Sequence, residues 1–263
     1  MLGWLTYSLY CLLYKRQGLI KNTVIILISS YMLFIVKAYI LFSYLPFFIL
    51  FIILKNLKAI KNIFLKLLAG ILLLSLGVLA FFLVAGEFKD EMGVYAVDKL
   101  ADNVKTQQEN YINMADQAES SFSLGVEFDG STSSLIKMAP AAIVATFYRP
   151  FIWESKKIST LLSSLESLAM MLLLFYVFFK VGPLNFITSF FKDPMILFSF
   201  FFSVVFALFV GATTLNFGTL VRYKIPCLPF YIIALILILD IYNKKKEHLA
   251  LKKKAAALSI AVQ

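Results

Sequence analysis

Five ionisable side chains in the second half of the chain have types and spacings suited to anion binding and acid–base chemistry. Arg149 and Glu154 share one short segment, Glu166 follows twelve residues later, and Arg222 and Lys224 share a third segment. All lie beside long apolar runs, where a charged group at a membrane-helix centre costs about 2.5–3.5 kcal/mol. Arginine can hold a phosphate through two parallel hydrogen bonds, and a carboxylate can act as a general base.

These residues support two interpretations. In the first, Arg149, Arg222 and Lys224 bind the phosphates of a lipid-linked substrate, while Glu154 or Glu166 is the general base for an attacking sugar hydroxyl. In the second, Arg149 pairs with Glu154, Arg222 and Lys224 bind lipid headgroups, and Glu166 is protonated or hydrogen-bonded to a neighbouring serine. The first predicts convergence on one outward-open cleft, and the second predicts charges that are dispersed or neutralised in pairs.

Other kinds of chemistry lack a sequence signal. We find no phosphate-binding glycine loop, dinucleotide-binding turn, nucleophile elbow or His/Cys metal spacing, so we expect no cofactor and no metal. The loop residues Glu127 and Asp129 are too few for a calcium loop. The net charge of +10 raises the possibility of nucleic acid, but the basic residues cluster beside apolar runs. That pattern is typical of membrane orientation, so we expect no nucleic-acid partner.

The composition requires lipid as the solvent for most of the chain. Of 263 residues, 61% are hydrophobic and 15% are charged, and 27 are phenylalanine. A soluble domain of this size cannot bury so much apolar surface. We therefore predict an all-α polytopic transmembrane bundle of about six spans, with membrane lipid as its first partner.

Residues 1–86 are predicted to form N-terminal transmembrane helices. The segment before Lys15 reaches only about 21 Å of a roughly 30 Å hydrocarbon core, so it is either tilted or the remainder of a longer N-terminal region. The apolar run from 24 to 54 is too long for one span, which favours a helical hairpin turning at Lys37. A further helix is expected over 67–85.

The middle of the chain changes to a polar composition over residues 87–137. Helical spacing of apolar residues predicts an amphipathic helix over 93–120, followed by a Gly/Ser-rich loop over 125–134. We expect one face of that helix to pack on the membrane or the bundle through Val97, Leu100, Val104 and Tyr111.

The last part of the chain returns to apolar sequence. Residues 138–159 contain Pro140 and Pro150, which favours a re-entrant or interfacial segment with Tyr148 and Trp153 at headgroup depth. Residues 160–242 are predicted to supply the C-terminal transmembrane helices, and 243–263 a basic cytoplasmic tail. The three helices are expected at 160–179, 194–215 and 225–242.

The distribution of lysine and arginine predicts the orientation. The dense basic clusters at 15–21, 55–66 and 244–254 all fall on one side when the helices alternate. Because basic loops stay inside, we expect a cytoplasmic C-terminus and an extracytoplasmic segment over 87–159.

Several short segments resemble polytopic bacterial proteins of surface-polysaccharide gene clusters, which in turn resemble O-antigen polymerase or ligase-like membrane glycosyltransferases. The resemblance covers about the last half of the chain. It rests on Ala139-Pro140-Ala141-Ala142, Tyr148-Arg149-Pro150-Phe151-Ile152-Trp153-Glu154, Ser164-Leu165-Glu166, Asn216-Phe217-Gly218-Thr219-Leu220-Val221-Arg222-Tyr223-Lys224-Ile225-Pro226 and Pro229-Phe230.

The resemblance implies transfer of a glycan from a polyprenyl-pyrophosphate carrier at the outer face of the bacterial inner membrane. It implies that Arg149 and Arg222 hold the pyrophosphate and that 87–159 serves as the extracytoplasmic loop. Such relatives are usually longer at the N-terminus, which implies other helices or membrane subunits as partners. The alternative is a non-catalytic subunit or transporter-like protein with an internal Glu166–Arg222 pair and a partner-binding outer loop.

Overall fold

All regular elements in the described part of the chain are helices. A computed structural model describes residues 1–57, 132–155 and 157–261, and between them 64–65, 68, 102, 104–106, 109–110, 121–126 and 129. The elements are α1 (Leu2–Tyr10) with a π-helical continuation (Cys11–Lys15), α2 (Leu19–Leu57), α3 (Thr132–Tyr148), a 3₁₀ turn (Ile152–Glu154), α4 (Ile158–Val181), α5 (Pro183–Phe190), α6 (Pro194–Thr213), α7 (Phe217–Tyr223) and α8 (Leu228–Ala261). The predicted all-α class is confirmed for these residues.

Three of these helices, α2, α4 and α6, are long and apolar enough to cross a membrane. A fourth span results if α7 and the part of α8 up to Lys252 are counted as one span with a 61° bend. The apolar stretches Leu2–Leu13 and Ile136–Tyr148 are shorter. The chain is therefore a multi-pass membrane protein, and the helix predicted over 67–85 lies almost entirely outside the described residues.

The chain divides into two compact units. The first comprises residues 1–139 and 212–215, and the second comprises 140–211 and 216–263. The five residues of the candidate site all belong to the second unit.

In the first unit, α1 packs along the second half of α2. The Thr6 and Tyr44 hydroxyls are 3.1 Å apart, and the Lys55 ammonium donates to the Leu13 carbonyl at 2.7 Å. Residue numbers increase in the same direction along both helices between these two contacts, so α1 and the second half of α2 are parallel. The first half of α2, which connects them in sequence, must therefore run in the opposite direction. The backbone leaves helical geometry at Lys37 (φ −155°, ψ 77°), where the sequence predicted the turn of a hairpin.

The polar segment after the first helices is described only in part. Of the helix predicted over 93–120, residues 102, 104–106 and 109–110 are helical and Val104 is buried, whereas Val97, Leu100 and Tyr111 lie outside the described residues. The predicted loop over 125–134 ends earlier than expected, because α3 already begins at Thr132.

In the second unit, α3 and α6 cross at very short range. A Cβ added to Gly211 would lie 2.7 Å from the carbonyl carbon of Ala142, and closer still to its oxygen. The Thr146 hydroxyl lies 2.7 Å from the Ala207 carbonyl on the facing helix. Small side chains at this crossing let the two backbones approach, as is common between helices in membranes.

The three C-terminal helices occur where the sequence predicted them, with two differences in length and connection. Gly182 adopts φ +79° and Pro183 is the first residue of the next helix, so α4 stops and the short α5 begins at once. No element was predicted there. At the other end, α8 continues without a break through the tail to Ala261, well beyond the expected end at Tyr242.

Candidate functional site

Arg149 and Glu154 form an ion pair across the turn that follows α3. The Arg149 Nε lies 3.0 and 3.1 Å from the two carboxylate oxygens of Glu154, and Nη2 contacts Oε1 as well. Each of the two side chains is only 18% exposed. The carboxylate also accepts the Phe151 backbone N–H at 2.8 Å. Glu154 therefore holds the edge of the guanidinium and the backbone of the turn together.

Lys224 is the buried cation of the site. Its side chain is 0% exposed, and its ammonium lies 3.0 Å from the Ser167 hydroxyl and 3.8 Å from Oε1 of Glu166. The Glu166 side chain is 47% exposed. Because a buried ammonium is costly without a partner, the serine oxygen and the neighbouring carboxylate stabilise it together.

Ser167 connects the three predicted segments. Its hydroxyl accepts a hydrogen bond from Lys224 and donates one to the Arg149 carbonyl at 3.1 Å. We call Arg149, Glu154, Glu166, Ser167 and Lys224 the Ser167 cluster. Ser167 was not among the residues predicted from the sequence, although a polar residue next to Glu166 within an apolar helix is a signal that could have identified it.

A break between two helices brings Lys224 into the cluster. The Asn216 side chain caps α7 by accepting the Gly218 N–H at 2.9 Å, and that helix ends after two turns at Tyr223. Pro226 has no N–H and disfavours a continuous helix. The Lys224 carbonyl instead accepts the Cys227 N–H at 3.1 Å and the Leu228 N–H at 3.3 Å, so the chain turns before α8 begins.

Arg222 is not part of the Ser167 cluster. It is exposed, and its Nε donates to the Gly218 carbonyl of its own helix at 3.0 Å. The internal Glu166–Arg222 pair of the alternative interpretation is therefore not formed, because Lys224 takes that place beside Glu166. Sequence alone cannot distinguish Arg222 from Lys224 here, since the bend of the helix decides which of them is buried.

Aromatic side chains pack beside the cluster. The Tyr148 and Tyr231 hydroxyls are 2.7 Å apart, and Phe147 stacks on the Tyr231 ring with centroids 4.3 Å apart. The Arg149 guanidinium lies 5.5 Å from the Phe217 ring centre. Trp153 is strongly exposed, as an interfacial anchor would be, whereas Tyr148 is engaged within the protein.

Four of the five predicted ionisable side chains form two ion pairs, and the Glu166 carboxylate is the more exposed of the two acids. Arg149 is held by Glu154, and Lys224 by Glu166, while Arg222 stands apart. Glu166 is the half-exposed acid and could exchange a proton or admit a competing anion at Lys224. Among the described residues, no three His, Cys, Asp or Glu side chains lie close enough together to hold a metal ion.

Comparison with known proteins finds no relative: no family model, no curated protein and no solved structure matches the chain.

Proposed function

We propose that this chain works in cell-envelope polysaccharide assembly in the bacterial inner membrane, on a glycan carried by polyprenyl pyrophosphate. One observation supports the proposal. Three segments of the polysaccharide-protein resemblance, separated in sequence, meet in the Ser167 cluster through Arg149, Glu166 and Lys224, and Ser167 bonds to the first and the last of these residues. The half-exposed Glu166 carboxylate suits the acid–base chemistry of glycan transfer, and the arginine side chains of these segments suit the pyrophosphate.

In this proposal the residues divide into three roles. Glu166, oriented by Lys224, is the general base for the attacking sugar hydroxyl. Arg222, exposed and bonded to the Gly218 carbonyl of its own helix, binds the incoming pyrophosphate together with Arg149. Glu154 acts as a positioning residue, because its carboxylate fixes the Arg149 guanidinium.

The test replaces each arginine by lysine, which keeps the charge but loses the planar fork. We expect Arg149→Lys and Arg222→Lys each to abolish surface polysaccharide in cells whose only copy carries the change, with membrane abundance unchanged. Lys105→Arg, a charge-preserving change at an exposed lysine outside the cluster, is the matched control. Normal polysaccharide from both arginine variants would mean that these residues only anchor lipid headgroups, and the proposal would be wrong.

The proposal includes an orientation with about six spans, a cytoplasmic C-terminus and residues 87–159 outside. A cysteine introduced at Ser120 should react with an impermeant thiol reagent in cells with a permeabilised outer membrane. One at Lys252 should react only after the inner membrane is opened. Cys11 and Cys227 are both buried and can be replaced by serine for this experiment. The reverse labelling pattern would invert the orientation.

The pairing of the charges favours a second candidate, a non-catalytic membrane subunit or transporter-like protein. Lys224 and Glu166 then stabilise the bent α7–α8 connection rather than acting on substrate. The single variant Glu166→Gln and the double variant Glu166→Gln/Lys224→Met distinguish the enzyme from the non-catalytic protein. A catalytic Glu166 predicts no polysaccharide from either variant. A structural pair predicts that the single variant loses abundance, and that the double variant regains both abundance and polysaccharide, because no unpaired cation remains.

A further inference from the structure

The short helix α5 presents an apolar face that the protein does not cover. Leu184, Ile187 and Phe191 are 79, 58 and 77% exposed, and their spacing places them on one side of the helix. The helix lies between α4 and α6, both long and apolar enough to cross a membrane. The end of a span must lie near the membrane surface, so both ends of α5 are held at that level.

The opposite side of α5 is anchored in the second unit. Phe186 meets Phe178 of α4 edge-on with ring centres 5.6 Å apart, and Phe190 meets Phe200 of α6 at 4.8 Å. Ser189 is buried. Because these contacts fix the rotation of α5 about its axis, the exposed apolar side faces away from the helices that hold it.

Several lysines lie near α5 at the same level. The Lys245 ammonium lies 3.3 Å from the side-chain oxygen of Asn185, which places the lysine run 244–246 of α8 beside α5. Lys192 is exposed just beyond the end of α5. The nearby acids only partly offset these charges: Asp240 pairs with Lys244, Asp193 accepts the Met195 N–H, and Glu247 is exposed.

We infer that α5 is an interfacial helix and that it forms a binding site for acidic phospholipids with Lys192, Lys245 and Lys246. Its apolar face lies among the upper parts of the acyl chains, as in other amphipathic helices at membrane surfaces. The lysine ammonium groups then meet the headgroup phosphates above. Lipid acyl chains match the apolar face, and anionic headgroups match the lysines beside it. Acidic lipid is therefore the occupant.

The experiment places a fluorescent reporter on the apolar face of the full-length protein. Ile187→Trp is introduced after Trp4 and Trp153 are replaced by phenylalanine, and the chain is reconstituted in mixed phosphatidylcholine and phosphatidylglycerol bilayers. One of the two lipids carries brominated acyl chains, which quench a neighbouring tryptophan. We expect quenching by both lipids, with phosphatidylglycerol enriched around the reporter by roughly fivefold for each engaged lysine.

The triple variant Lys192→Gln/Lys245→Gln/Lys246→Gln should remove this enrichment and leave quenching by phosphatidylcholine unchanged. Lys15→Gln/Lys21→Gln/Lys105→Gln removes the same charge from exposed lysines of the first unit and should keep the enrichment. If the triple variant does not accumulate, the single variants Lys192→Gln and Lys246→Gln carry the same test with smaller shifts. A parent protein quenched by neither lipid, or equally by both, would overturn the proposal, as would equal losses in the variant and the control.

Discussion

Charged residues at the two ends of α4 lie in opposite environments, one buried and one exposed. Near its beginning, Ser167 and Glu166 enclose a lysine that is 0% exposed, and Gly211 permits a close backbone crossing nearby in the same unit. At its far end, about 20 Å along the axis, Lys180 is exposed beside α5. We call these the packed end and the open end. A charge at the packed end depends on buried partners, whereas a charge at the open end is exposed, and solvent or lipid can replace its partners.

This difference predicts how the two ends respond to substitution. Removing one partner of a buried, hydrogen-bonded group leaves the other unsatisfied, and that penalty often exceeds the value of the bond itself. Removing an exposed lysine leaves a partner that is open to water, and water replaces the lost bond. Stability should therefore be concentrated at the packed end, and sensitivity to lipid composition at the open end.

The largest effect is expected from Gly211→Ala at the packed end. The new methyl group would meet the Ala142 backbone and the Thr146 hydroxyl, and the Ala142 backbone cannot move away without separating α3 from α6. We expect a loss of at least about 3 kcal/mol of stability, at the upper end of the range for overpacking. Thermal unfolding of the detergent-purified protein measures it.

Gly3→Ala is the matched control, because a methyl group there meets nothing within 4 Å. Equal unfolding temperatures for Gly211→Ala and Gly3→Ala would mean that α3 and α6 do not cross as closely as described.

A smaller loss is expected from Ser167→Ala. The change leaves the Lys224 ammonium and the Arg149 carbonyl without their shared hydroxyl, which should cost about 1–3 kcal/mol. Ser163→Ala is the control on the same helix, because that hydroxyl bonds within α4, to the Ser159 carbonyl, in an exposed hydrogen bond. The difference between the two unfolding curves gives the contribution of the link, and identical curves would argue that Ser167 joins nothing.

The parts of the fold that could be predicted from the sequence are those marked by long, continuous apolar runs. The helices α4 and α6 appear as apolar runs bounded by Gly182, Pro183 and Pro194, and Lys37 interrupts a run too long for one span. The required length of a membrane helix makes such runs readable. The eight residues of α5 are too few to give a comparable signal, and its role depends on its neighbours.

The ionisable residues of the Ser167 cluster could be selected from the sequence, but their contacts could not, nor could the position of Arg222 outside the cluster. Ionisable groups are rare in apolar sequence, so Arg149, Glu154, Glu166 and Lys224 stand out on inspection. Their pairing depends on the turn at Pro226 and on the direction in which the shortened α7 ends, neither of which has a sequence period. Ser167 was missed although it stands next to Glu166, because serine is common in membrane helices and its neighbours in sequence do not show what it bonds to.

The smallest effect is expected at the open end, from Lys245→Gln. The lysine is exposed, and its one described hydrogen bond, to Asn185 at 3.3 Å, is long and open to water. We therefore expect the free energy of unfolding in a neutral detergent to change by less than about 0.5 kcal/mol, as for most surface substitutions. Lys224→Gln, which places an amide where the buried ammonium was, is the comparison at the packed end and should lower stability by about 1–3 kcal/mol, since the Ser167 hydroxyl and the Glu166 carboxylate lose a charged donor. If both substitutions cost the same, the two ends would not differ in how they hold their charges. A loss at Lys245 as large as that at Lys224 would mean that the contact with Asn185 contributes to the packing of α5 against α8, rather than leaving this lysine available to lipid.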